Sequence, residues 1–469
     1  MNTQAWINGA QWFFLLYFIG INTGYILLNL LSFGSLQRYI RSHGDAAALR
    51  LYAGFEPPVS ILVPAYNEEA NIAASVQSLL QLSYPEYEVI VVNDGSKDKT
   101  LECLQREFRL VPFPEAYWAR LVVKPVRQIY RSTLHHNLRV IDKDNGGKAD
   151  ALNAAINAAR YPLICGIDAD SVLERTSLQR VVRPFLENPF TIATGGTVRI
   201  ANGCRVEDGF LTQVGLPRKL LPLFQIVEYL RAFLFGRLGW SVLNAMLIIS
   251  GAFGVFRKES VVAAGGYRTD TVGEDMELIV RLHRVNRLAG TPYRITFVPD
   301  PVCWTEAPES LKVLKTQRVR WQRGLSESLM MNRELLLHPR GGAAGWFAFP
   351  FMVVFEWLGP LIEVAGYVLM TAGFVLGIIS LDAFVAFIVV AIAFGVMLST
   401  SALLLEELSF HVYTRPRELV ALLAASLLEN FGYRQLNSLW RLWGLWHWAV
   451  DAKAHWGEMT RSPEWHRPH

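Results

Sequence analysis

The sequence predicts an α/β domain, with a mixed and mostly parallel sheet between flanking helices, joined to helices that cross or lie along a membrane. Two observations predict this. Short apolar strands alternate with helical stretches in the middle of the chain, and apolar residues are concentrated at the N-terminus and after about residue 345. Hydrophobic residues make up 52% of the chain and charged residues only 18%, below the roughly 25% that is usual in soluble domains.

The first apolar run is long enough to span a bilayer. It extends from about Trp12 to Phe33, and no charged residue precedes Arg38, so it lacks the basic start of a signal peptide. Because Arg38 and Arg41 follow the run, the positive-inside rule predicts a multi-pass plasma-membrane protein with its N-terminus outside and the next domain in the cytoplasm. The predicted parts are a transmembrane segment (1–37), a cytosolic α/β domain (38–345), transmembrane helices (346–410) and an interfacial or re-entrant amphipathic region (411–469).

Several stretches leave more than one interpretation open. Residues 217–240 are apolar but contain five charged side chains, which suits a helix in the membrane interface and an ordinary core helix equally well. Residues 308–335 are a second candidate for an interfacial helix. Residues 419–431 cross the membrane, re-enter it or lie flat on it, and the insertion at 108–137 shows no interpretable periodicity.

Charge and cysteine content exclude some classes of protein. The net charge is +4 and the chain contains no Lys/Arg run, so nucleic acid is not an expected partner. A mildly basic balance suits an anionic membrane leaflet and a diphosphate substrate. The cysteines are widely spaced and indicate reduced packing residues rather than a zinc site or a disulfide framework. They are Cys103, Cys165, Cys204 and Cys303.

Polar clusters follow four apolar strands of the predicted sheet. Because parallel sheets bind ligands at the carboxyl ends of their strands, these clusters predict a binding site along one edge. The clusters are Pro64-Ala65-Tyr66-Asn67-Glu68, Asn93-Asp94-Gly95-Ser96, Asn145-Gly146-Gly147-Lys148 and Asp168-Ala169-Asp170.

Individual residues in these clusters are each open to a structural and a functional interpretation. Asp168 and Asp170 are two residues apart at a strand end, where both side chains project to one side and could hold a divalent cation. A surface acidic pair has the same pattern. Asp94 suits either a turn or a hydrogen bond to a base or ribose, and Lys148 suits either a phosphate contact or a solvated lysine.

Two helices carry further candidates. Glu274 and Asp275 begin a periodic helix, where acids either stabilise the N-terminus or supply a general base for a sugar hydroxyl. Gln317, Arg320 and Trp321 share one helix face, so Arg320 could clamp a diphosphate while Trp321 stacks on a sugar ring. Alternatively, the helix is amphipathic, with a packed tryptophan and solvated cations.

Taken together, the motifs resemble those of the processive family-2 glycosyltransferases, which include cellulose, hyaluronan, chitin and poly-N-acetylglucosamine synthases. The resemblance covers roughly residues 55–330 and also includes the openings Val63-Pro-Ala-Tyr-Asn-Glu68 and Gly146-Gly-Lys-Ala-Asp150. The motifs that match in order are Asp94, Lys148, Asp168-x-Asp170, Glu274-Asp275 and Gln317-x-x-Arg320-Trp321. One departure is Gly273, which stands where the family often has Thr.

This resemblance implies a GT-A-type fold and a role for each matching residue. The implied donor-binding residues are Pro64, Tyr66, Glu68, Asp94, Lys148, Asp168, Gln317 and Arg320. Asp275, with Glu274 beside it, is the implied general base. Asp168 and Asp170 are the implied ligands of Mg²⁺ or Mn²⁺. The implied acceptor contacts are Trp321, Ser250 and Gly251.

The resemblance further implies an inverting membrane enzyme that moves a sugar from a UDP-sugar to the non-reducing end of a growing β-linked polysaccharide. Processive elongation coupled to export is expected, with UDP-N-acetylglucosamine ahead of UDP-glucose as donor. The need for an accessory membrane or periplasmic subunit is left open. One alternative is a non-processive enzyme that glycosylates a lipid carrier, against which the Gln-x-x-Arg-Trp motif counts. Another is a catalytically silent membrane protein, against which the retained Asp168, Asp170 and Asp275 count.

Overall fold

The computed structural model describes residues 3–43, 54–207 and 209–450. The remaining residues, including the end of the predicted C-terminal region (451–469), lie outside the described part. The strands are β1 (Val59–Ala65), β2 (Tyr87–Asp94), β3 (Leu110–Pro112), β4 (Val126–Ser132), β5 (Leu138–Lys143), β6 (Leu163–Ile167), β7 (Val172–Leu173), β8 (Thr191–Ile200), β9 (Arg205–Glu207), β10 (Phe210–Gln213), β11 (Phe253–Arg257) and β12 (Arg294–Thr305).

The α-helices alternate with these strands and continue after them. They are α1 (Thr3–His43), α2 (Ile72–Leu79), α3 (Thr100–Phe108), α4 (Lys148–Ala158), α5 (Ser177–Glu187), α6 (Leu220–Leu230), α7 (Leu238–Val242), α8 (Lys258–Ala263), α9 (Glu274–Ala289), α10 (Leu311–Met331), α11 (Phe349–Phe351), α12 (Gly359–Val375), α13 (Leu381–Ser409), α14 (Pro416–Leu428) and α15 (Tyr433–Ala449). π-Helical turns occupy Arg231–Arg237, Ala344–Ala348 and Met352–Trp357, and a 3₁₀ turn occupies Arg333–Leu335.

The main sheet has ten strands in the order β3-β4-β5-β2-β1-β6-β11-β8-β12-β7. Its centre is parallel: β5, β2, β1 and β6 pair side by side in one direction. These strands are almost wholly buried, as parallel strands covered by helices on both faces must be. Since β8 and β12 also pair in parallel while β4, β7 and β11 run against their neighbours, the predicted mixed and mostly parallel sheet is confirmed.

The uninterpreted insertion at 108–137 supplies the edge of this sheet. Strands β3 and β4 form an antiparallel pair, and β4 continues the sheet against β5. Many side chains of both strands are only half-buried or exposed. An edge that faces solvent on one side carries mixed polar and apolar residues, which explains why the sequence shows no clear period there.

Local helix boundaries differ from the prediction in one place. The sequence pattern predicts helices over residues 68–80 and 148–159. The first begins only at Ile72, because the chain first turns through Asn67, whose φ is 56°. Asparagine tolerates this left-handed conformation better than most residues. By contrast, α4 begins at Lys148 as predicted, directly after Gly147, whose φ is 86°.

Two described helices are long and apolar enough to cross a membrane, at Trp12–Arg41 and Leu381–Ser409. A third span is formed if the pair Ala344–Trp357 and Gly359–Val375, bent by 41°, counts as one crossing. The break falls before Pro360, which cannot donate a backbone hydrogen bond within a helix. Helices of this length and hydropathy identify a membrane protein.

The ambiguous segment 217–240 lies where the sheet meets the first membrane helix. On one side, Val227 and Leu230 are buried in the core of the α/β domain. On the other side, Ser32 of α1 donates a hydrogen bond to the carbonyl oxygen of Phe235 at 2.9 Å. The segment is therefore a core helix that also packs against the N-terminal membrane helix. Both contacts require apolar residues, so its apolar content did not distinguish the two interpretations.

The region after residue 410 forms two consecutive helices, α14 and α15. Helix α14 has 13 residues and is about 20 Å long, shorter than the roughly 30 Å hydrocarbon core of a bilayer. The tryptophan-rich α15 packs on α10, where Arg441 Nε donates to Gln322 Oε1 at 2.8 Å. Close contact is possible because Gly444 has no side chain: a Cβ there would lie 2.8 Å from the Val319 carbonyl oxygen. Helix α15 thus supports the helix that carries Gln317, Arg320 and Trp321.

Candidate active site

The four polar clusters predicted from the sequence meet at one edge of the sheet. The register pairs Ala65 with Asn93 and Asp94 with Lys143, so β1, β2 and β5 end side by side. Strand β6 pairs with β1 on its other side and ends just before Asp168. The carboxyl ends of neighbouring parallel strands therefore line one cleft, which is the geometry on which the predicted site depends.

Asp94 is the buried centre of the first half of this cleft. Its carboxylate accepts hydrogen bonds from Lys143 Nζ at 2.6 Å and from the backbone N–H groups of Gly146 and Gly147 at 3.0 and 2.7 Å. The Asp94 side chain is only 4% exposed. Asp94 thus fixes the glycine turn that precedes Lys148, and a Cβ on Gly146 would collide with Asp150 at 2.5 Å.

Lys148 links the strand ends to the helix that carries the predicted base. Its ammonium pairs with the Asp168 carboxylate, lies 3.8 Å from Glu274 Oε1 and donates to the Gly251 carbonyl oxygen at 3.4 Å. Burial disfavours the ammonium charge, but the neighbouring carboxylates outweigh burial and raise the pKa of Lys148 above its ordinary value. Lys148 is therefore charged and held in place at neutral pH.

Asp168 and Asp170 lie in the turn that directly follows β6. Both side chains are half-buried, whereas Ala169 between them is 5% exposed and faces the core. Carboxylate oxygens are the ligands that Mg²⁺ and Mn²⁺ prefer, so this pair fits a divalent cation. Within the described residues, no group of three or more His, Cys, Asp or Glu side chains could hold a metal. The pair would need oxygens of a bound diphosphate and water to complete a coordination shell.

The two acids that open α9 differ in environment. Glu274 is buried, and burial together with the Asp275 charge, against the Lys148 charge, raises the pKa of Glu274 to about 7. Asp275 is half-exposed; its Oδ2 accepts a hydrogen bond from the Gly251 N–H at 2.9 Å, and its Oδ1 accepts one from the Met276 N–H at 2.8 Å. Of the two, Asp275 is the less buried and is the one that can reach a substrate.

The Gly251 contact explains the sequence before β11. Ser250 and Gly251 precede that strand, and Gly251 contacts both sides of the site: its N–H donates to Asp275 and its carbonyl accepts from Lys148. A Cβ on Gly251 would lie 3.2 Å from Lys148 Nζ and 3.3 Å from Asp275 Oδ2. The glycine thus allows the loop to lie between the lysine and the base.

Gly273, the departure from the family pattern, has a physical reason in this chain. A Cβ at Gly273 would lie 2.8 Å from the Cα of Gly324 on α10, closer than real Cβ contacts. Glu327 on the same helix fixes this loop by accepting hydrogen bonds from Thr271 Oγ1 at 2.8 Å and the Val272 N–H at 2.9 Å. Helix α10 therefore crosses directly over the start of α9, at a distance that excludes a side chain at 273.

Helix α10 brings the last predicted motif to the same site. Arg320 lies close enough to Glu274 for its charge to act on that carboxyl. Gln317 is 8% exposed, and its Oε1 is buried without a hydrogen-bond partner among the residues described. Trp321 is 43% exposed, and the guanidinium of Arg318 lies 4.3 Å from its ring centroid.

The opening motif Pro64 to Glu68 lies at the rim of the cleft. Pro64 is half-buried near the end of β1, and Tyr66 is 43% exposed. The Glu68 N–H donates to Thr100 Oγ1 at 2.8 Å, which joins this motif to the start of α3. One connected set of contacts joins the predicted site residues Lys148, Asp168, Gly251, Glu274 and Asp275.

Sequence reasoning missed the side chains that hold the site residues. Lys143 is fully buried and pairs with both Asp94 and Asp150 at 2.6 Å. Arg318, one of the cations that the alternative interpretation of α10 leaves solvated or in contact with lipid headgroups, is buried and pairs with Glu228 at 2.9 Å. That reading of α10 is wrong for Arg318, because its charge is neutralised by α6 rather than by water. The signal for Lys143 was its position one residue before an Asp-Asn-Gly-Gly turn.

Comparison with known families covers the same residues as these motifs. Residues 60–117 match the model described as glycosyl transferase family 2, and residues 121–324 match glycosyltransferase like family 2. Together the two matches extend over more than half of the chain. The chain belongs to glycosyltransferase family 2. A chitin synthase model also matches residues 271–441, which contain the acids of α9, the Gln-x-x-Arg-Trp helix and most of the membrane helices.

Curated relatives of this glycosyltransferase include bacterial polysaccharide synthases. It is 30% identical over 273 residues to the poly-β-1,6-N-acetyl-D-glucosamine synthase of Staphylococcus epidermidis, and 30% identical over 275 residues to that of Staphylococcus aureus. Both alignments cover 58% of this chain and 55% of the relative. The aligned part of the glycosyltransferase thus spans about half the length of these relatives.

A solved structure shares the fold. The mannosyltransferase of Pyrobaculum calidifontis, determined with GDP-mannose and Mn²⁺, aligns with a TM-score of 0.54 over 90% of this glycosyltransferase and 99% of the mannosyltransferase. The sequence identity is 19%, so this likeness supports the GT-A-type fold and not a shared substrate.

Proposed function

We propose that this family-2 glycosyltransferase transfers a sugar from a UDP-sugar to the non-reducing end of a β-linked glycan, inverting the anomeric configuration and acting repeatedly on one chain. The observation that carries the proposal is the juxtaposition of Asp275 with Lys148 and Asp168. A half-exposed carboxylate lies across one loop residue, Gly251, from a cation and a strand-end acid. This arrangement supports a general base next to the groups suited to a nucleotide diphosphate.

The donor half of the site binds the nucleotide in this proposal. Pro64, Tyr66 and Glu68 form the rim that receives uridine, while Asp94 holds the Gly146-Gly147 turn in position. The buried state of Asp94 and its bonds to the turn support a positioning role, in place of the direct nucleotide contact implied by the resemblance. Lys148, which follows the turn, faces the strand end where the diphosphate lies.

Asp168 and Asp170 are the proposed ligands of a divalent cation, Mg²⁺ or Mn²⁺. Such an ion, when bound, neutralises the diphosphate and stabilises it as a leaving group. Arg320 and Gln317 approach from α10. A guanidinium is suited to the negative charge that develops on the diphosphate, and the buried amide oxygen of Gln317, which lacks a partner among the described residues, is suited to a hydroxyl donor.

Asp275 is the proposed general base. A sugar hydroxyl is a weak nucleophile, and a carboxylate within hydrogen-bond reach accepts its proton as the oxygen attacks the anomeric carbon. Attack from the side opposite the diphosphate forms the new C–O bond while the C–O bond to the diphosphate breaks, so an α-linked donor gives a β-linked product. Glu274 is the proposed positioning residue for Lys148, because it is buried beside the ammonium.

Trp321 is the proposed contact for the glycan end. Its exposed indole, fixed from behind by Arg318, offers a flat apolar face of the kind that packs on sugar rings. The helix that carries it is packed against α15, and α15 also contacts the membrane helix α12, where Ser438 Oγ donates to Glu363 Oε2 at 2.6 Å. This continuity supports elongation next to membrane helices, with export as the expected consequence.

The membrane arrangement belongs to the same proposal. An outside N-terminus, a cytoplasmic catalytic domain and the four-part division at residues 37, 345 and 410 follow from arginine placement and apolar runs. The relatives in Staphylococcus make UDP-N-acetylglucosamine the first donor to test, followed by UDP-glucose.

The direct test is to incubate membranes containing the protein with radiolabelled UDP-N-acetylglucosamine or UDP-glucose and to size the product. We expect a polymer from one donor, dependent on added Mg²⁺ or Mn²⁺. A single-addition, lipid-extractable product would instead establish the non-processive enzyme that glycosylates a lipid carrier. No transfer from any UDP-sugar would contradict the proposed function.

A further inference from the structure

A cation outside the family motifs, Arg237, lies within electrostatic range of the proposed base. Tyr229, Phe233 and Arg237 are four residues apart on α6 and the π-helical turn that continues it, so they lie along one face. The rings of Tyr229 and Phe233 are 5.6 Å apart, and the Arg237 guanidinium lies 3.7 Å from the centre of the Phe233 ring. Stacking on this ring fixes the plane of the guanidinium.

This face extends from one end of the site to the other. Tyr229 lies within electrostatic range of both Asp170 and Arg237. Arg237 in turn lies within range of Asp275. The face therefore runs from the metal-binding end of the site to the base, with Arg237 at the end where the acceptor hydroxyl is deprotonated. π-Helical turns within helices are frequently found at functional sites.

Arg237 has a buried N–H group without a hydrogen-bond partner in the part of the chain that the structure describes, whereas the nearby Arg231 has an ion-pair partner for its guanidinium. Nη1 of Arg237 is buried and has no hydrogen-bond partner within the described residues. Arg231 begins the same π-helical turn, but its guanidinium pairs with Glu429 at 2.5 Å and donates to Ser399. Burial lowers the pKa of Arg237 to about 10, against the opposing effect of Asp275, so the group stays charged at neutral pH.

A buried N–H donor without a partner destabilises the protein, and it is satisfied when a ligand supplies an acceptor. The donor diphosphate lies at the Asp168 and Asp170 end of the cleft. The ligand nearest Asp275 is the acceptor sugar, whose hydroxyl and amide oxygens accept hydrogen bonds.

We propose that Arg237 is a further substrate-binding residue of this enzyme, and that its Nη1 donates a hydrogen bond to an oxygen of the acceptor sugar beside the hydroxyl that Asp275 deprotonates. The inference rests on the proposed function, since it takes Asp275 as the base. The proposed hydrogen bond contributes to binding of the acceptor sugar rather than of the nucleotide-sugar donor.

The test compares R237Q and R237K with the wild-type enzyme and with R218Q. Arg218 precedes the same helix and is exposed, so R218Q removes an equal charge without touching the site. Three quantities are measured on detergent-purified protein: the dissociation constant of UDP with Mn²⁺, the acceptor-independent hydrolysis of the UDP-sugar, and the transfer of sugar to a short oligosaccharide of the same sugar at varied concentration.

We expect R237Q to raise the acceptor KM by about 10- to 100-fold, the range for losing one hydrogen bond to a charged group. UDP binding and hydrolysis should stay within about 3-fold of wild type, and R218Q should match wild type throughout. R237K, which keeps the charge and a donor, should recover part of the loss. Retained UDP binding also shows that the variants fold.

Two results would overturn the inference. One is an unchanged acceptor KM in R237Q. The other is a loss of UDP binding and hydrolysis equal to the loss of transfer, which would assign Arg237 to the donor diphosphate. The wild-type reaction in the same assay tests the proposed function separately. If the wild-type enzyme itself transfers no sugar, the proposed function is wrong, and the inference about Arg237 falls with it.

Discussion

The two halves of the cleft differ in how their central charged side chains are paired, although Asn93 Oδ1 in the donor half is also buried without a partner among the described residues. In the donor half, Asp94 is buried and bonded to Lys143 and to two backbone N–H groups. In the acceptor half, the buried Arg237 Nη1 lacks a hydrogen-bond partner in the described part of the chain. The difference indicates a preformed cradle for the nucleotide facing a second surface that is completed only when the glycan binds.

The sharpest test of this division removes the base from the acceptor half. D275N keeps the shape of the side chain but cannot accept the proton, so we expect transfer to fall by at least about 10²- to 10⁴-fold. Initial rates with radiolabelled UDP-sugar measure the effect. D270N, an exposed residue in the loop just before α9, serves as the matched control and should keep normal rates. Normal turnover in D275N would show that another group is the base.

Removing the buried acid of the donor half should damage stability as well as activity. D94N leaves Lys143 without one of its charge partners in a buried position, which typically costs about 3–5 kcal/mol of unfolding free energy. Denaturant or thermal unfolding in detergent measures the loss. D144N is the control, because the Asp144 ion pair with Arg127 is about half-exposed and should contribute less than about 1 kcal/mol. Equal stability of the two variants would contradict the proposal that Asp94 holds a preformed donor half.

Trp321 should matter for the acceptor alone. W321A removes the exposed indole, and we expect the acceptor KM to rise by roughly 10-fold, the equivalent of about 1.4 kcal/mol. UDP binding should be unaffected. W118A is the matched control, since Trp118 is 77% exposed and belongs to the segment that leads to the edge strand β4. If W321A gives a product of unchanged length with an unchanged acceptor KM, Trp321 does not contact the acceptor.

The smallest expected effect is the pH dependence of stability from Glu274. Its pKa is raised in the folded protein to about 7, against about 4.3 when unfolded. The folded state therefore binds the proton more tightly, so this contribution to stability is complete below pH ~4.3 and is lost as the pH rises through about 7. E274Q cannot titrate, so melting temperatures of wild type should fall relative to E274Q over this range. E334Q, changed at an exposed glutamate, should parallel wild type.

The sequence predicted those parts of the fold and site that depend on local pattern. Four apolar runs followed by polar clusters placed the ends of β1, β2, β5 and β6 correctly, because parallel strands bring such ends together whatever their exact register. The start of α9 at Glu274 and the shared face of α10 were predicted from helical spacing in the same way.

Features that depend on contacts between distant segments were not predictable. The pairing of Lys143 with Asp94 requires the β2–β5 register. The absence of a side chain at Gly273 has its reason in Gly324, 51 positions away. Segment 217–240 was ambiguous because apolar residues that face a domain core and those that face a membrane helix look the same in sequence. Arg318 looked solvated because its partner, Glu228, lies on another helix.

The division of the cleft is tested most directly by one set of UDP titrations on wild type, D275N, R237Q and D94N. The account predicts that D275N and R237Q bind UDP as tightly as wild type, although both lose transfer, while D94N binds UDP much more weakly. UDP affinity that falls in D275N and R237Q, or that survives in D94N, would show that the cleft is not divided into a preformed donor half and an acceptor half.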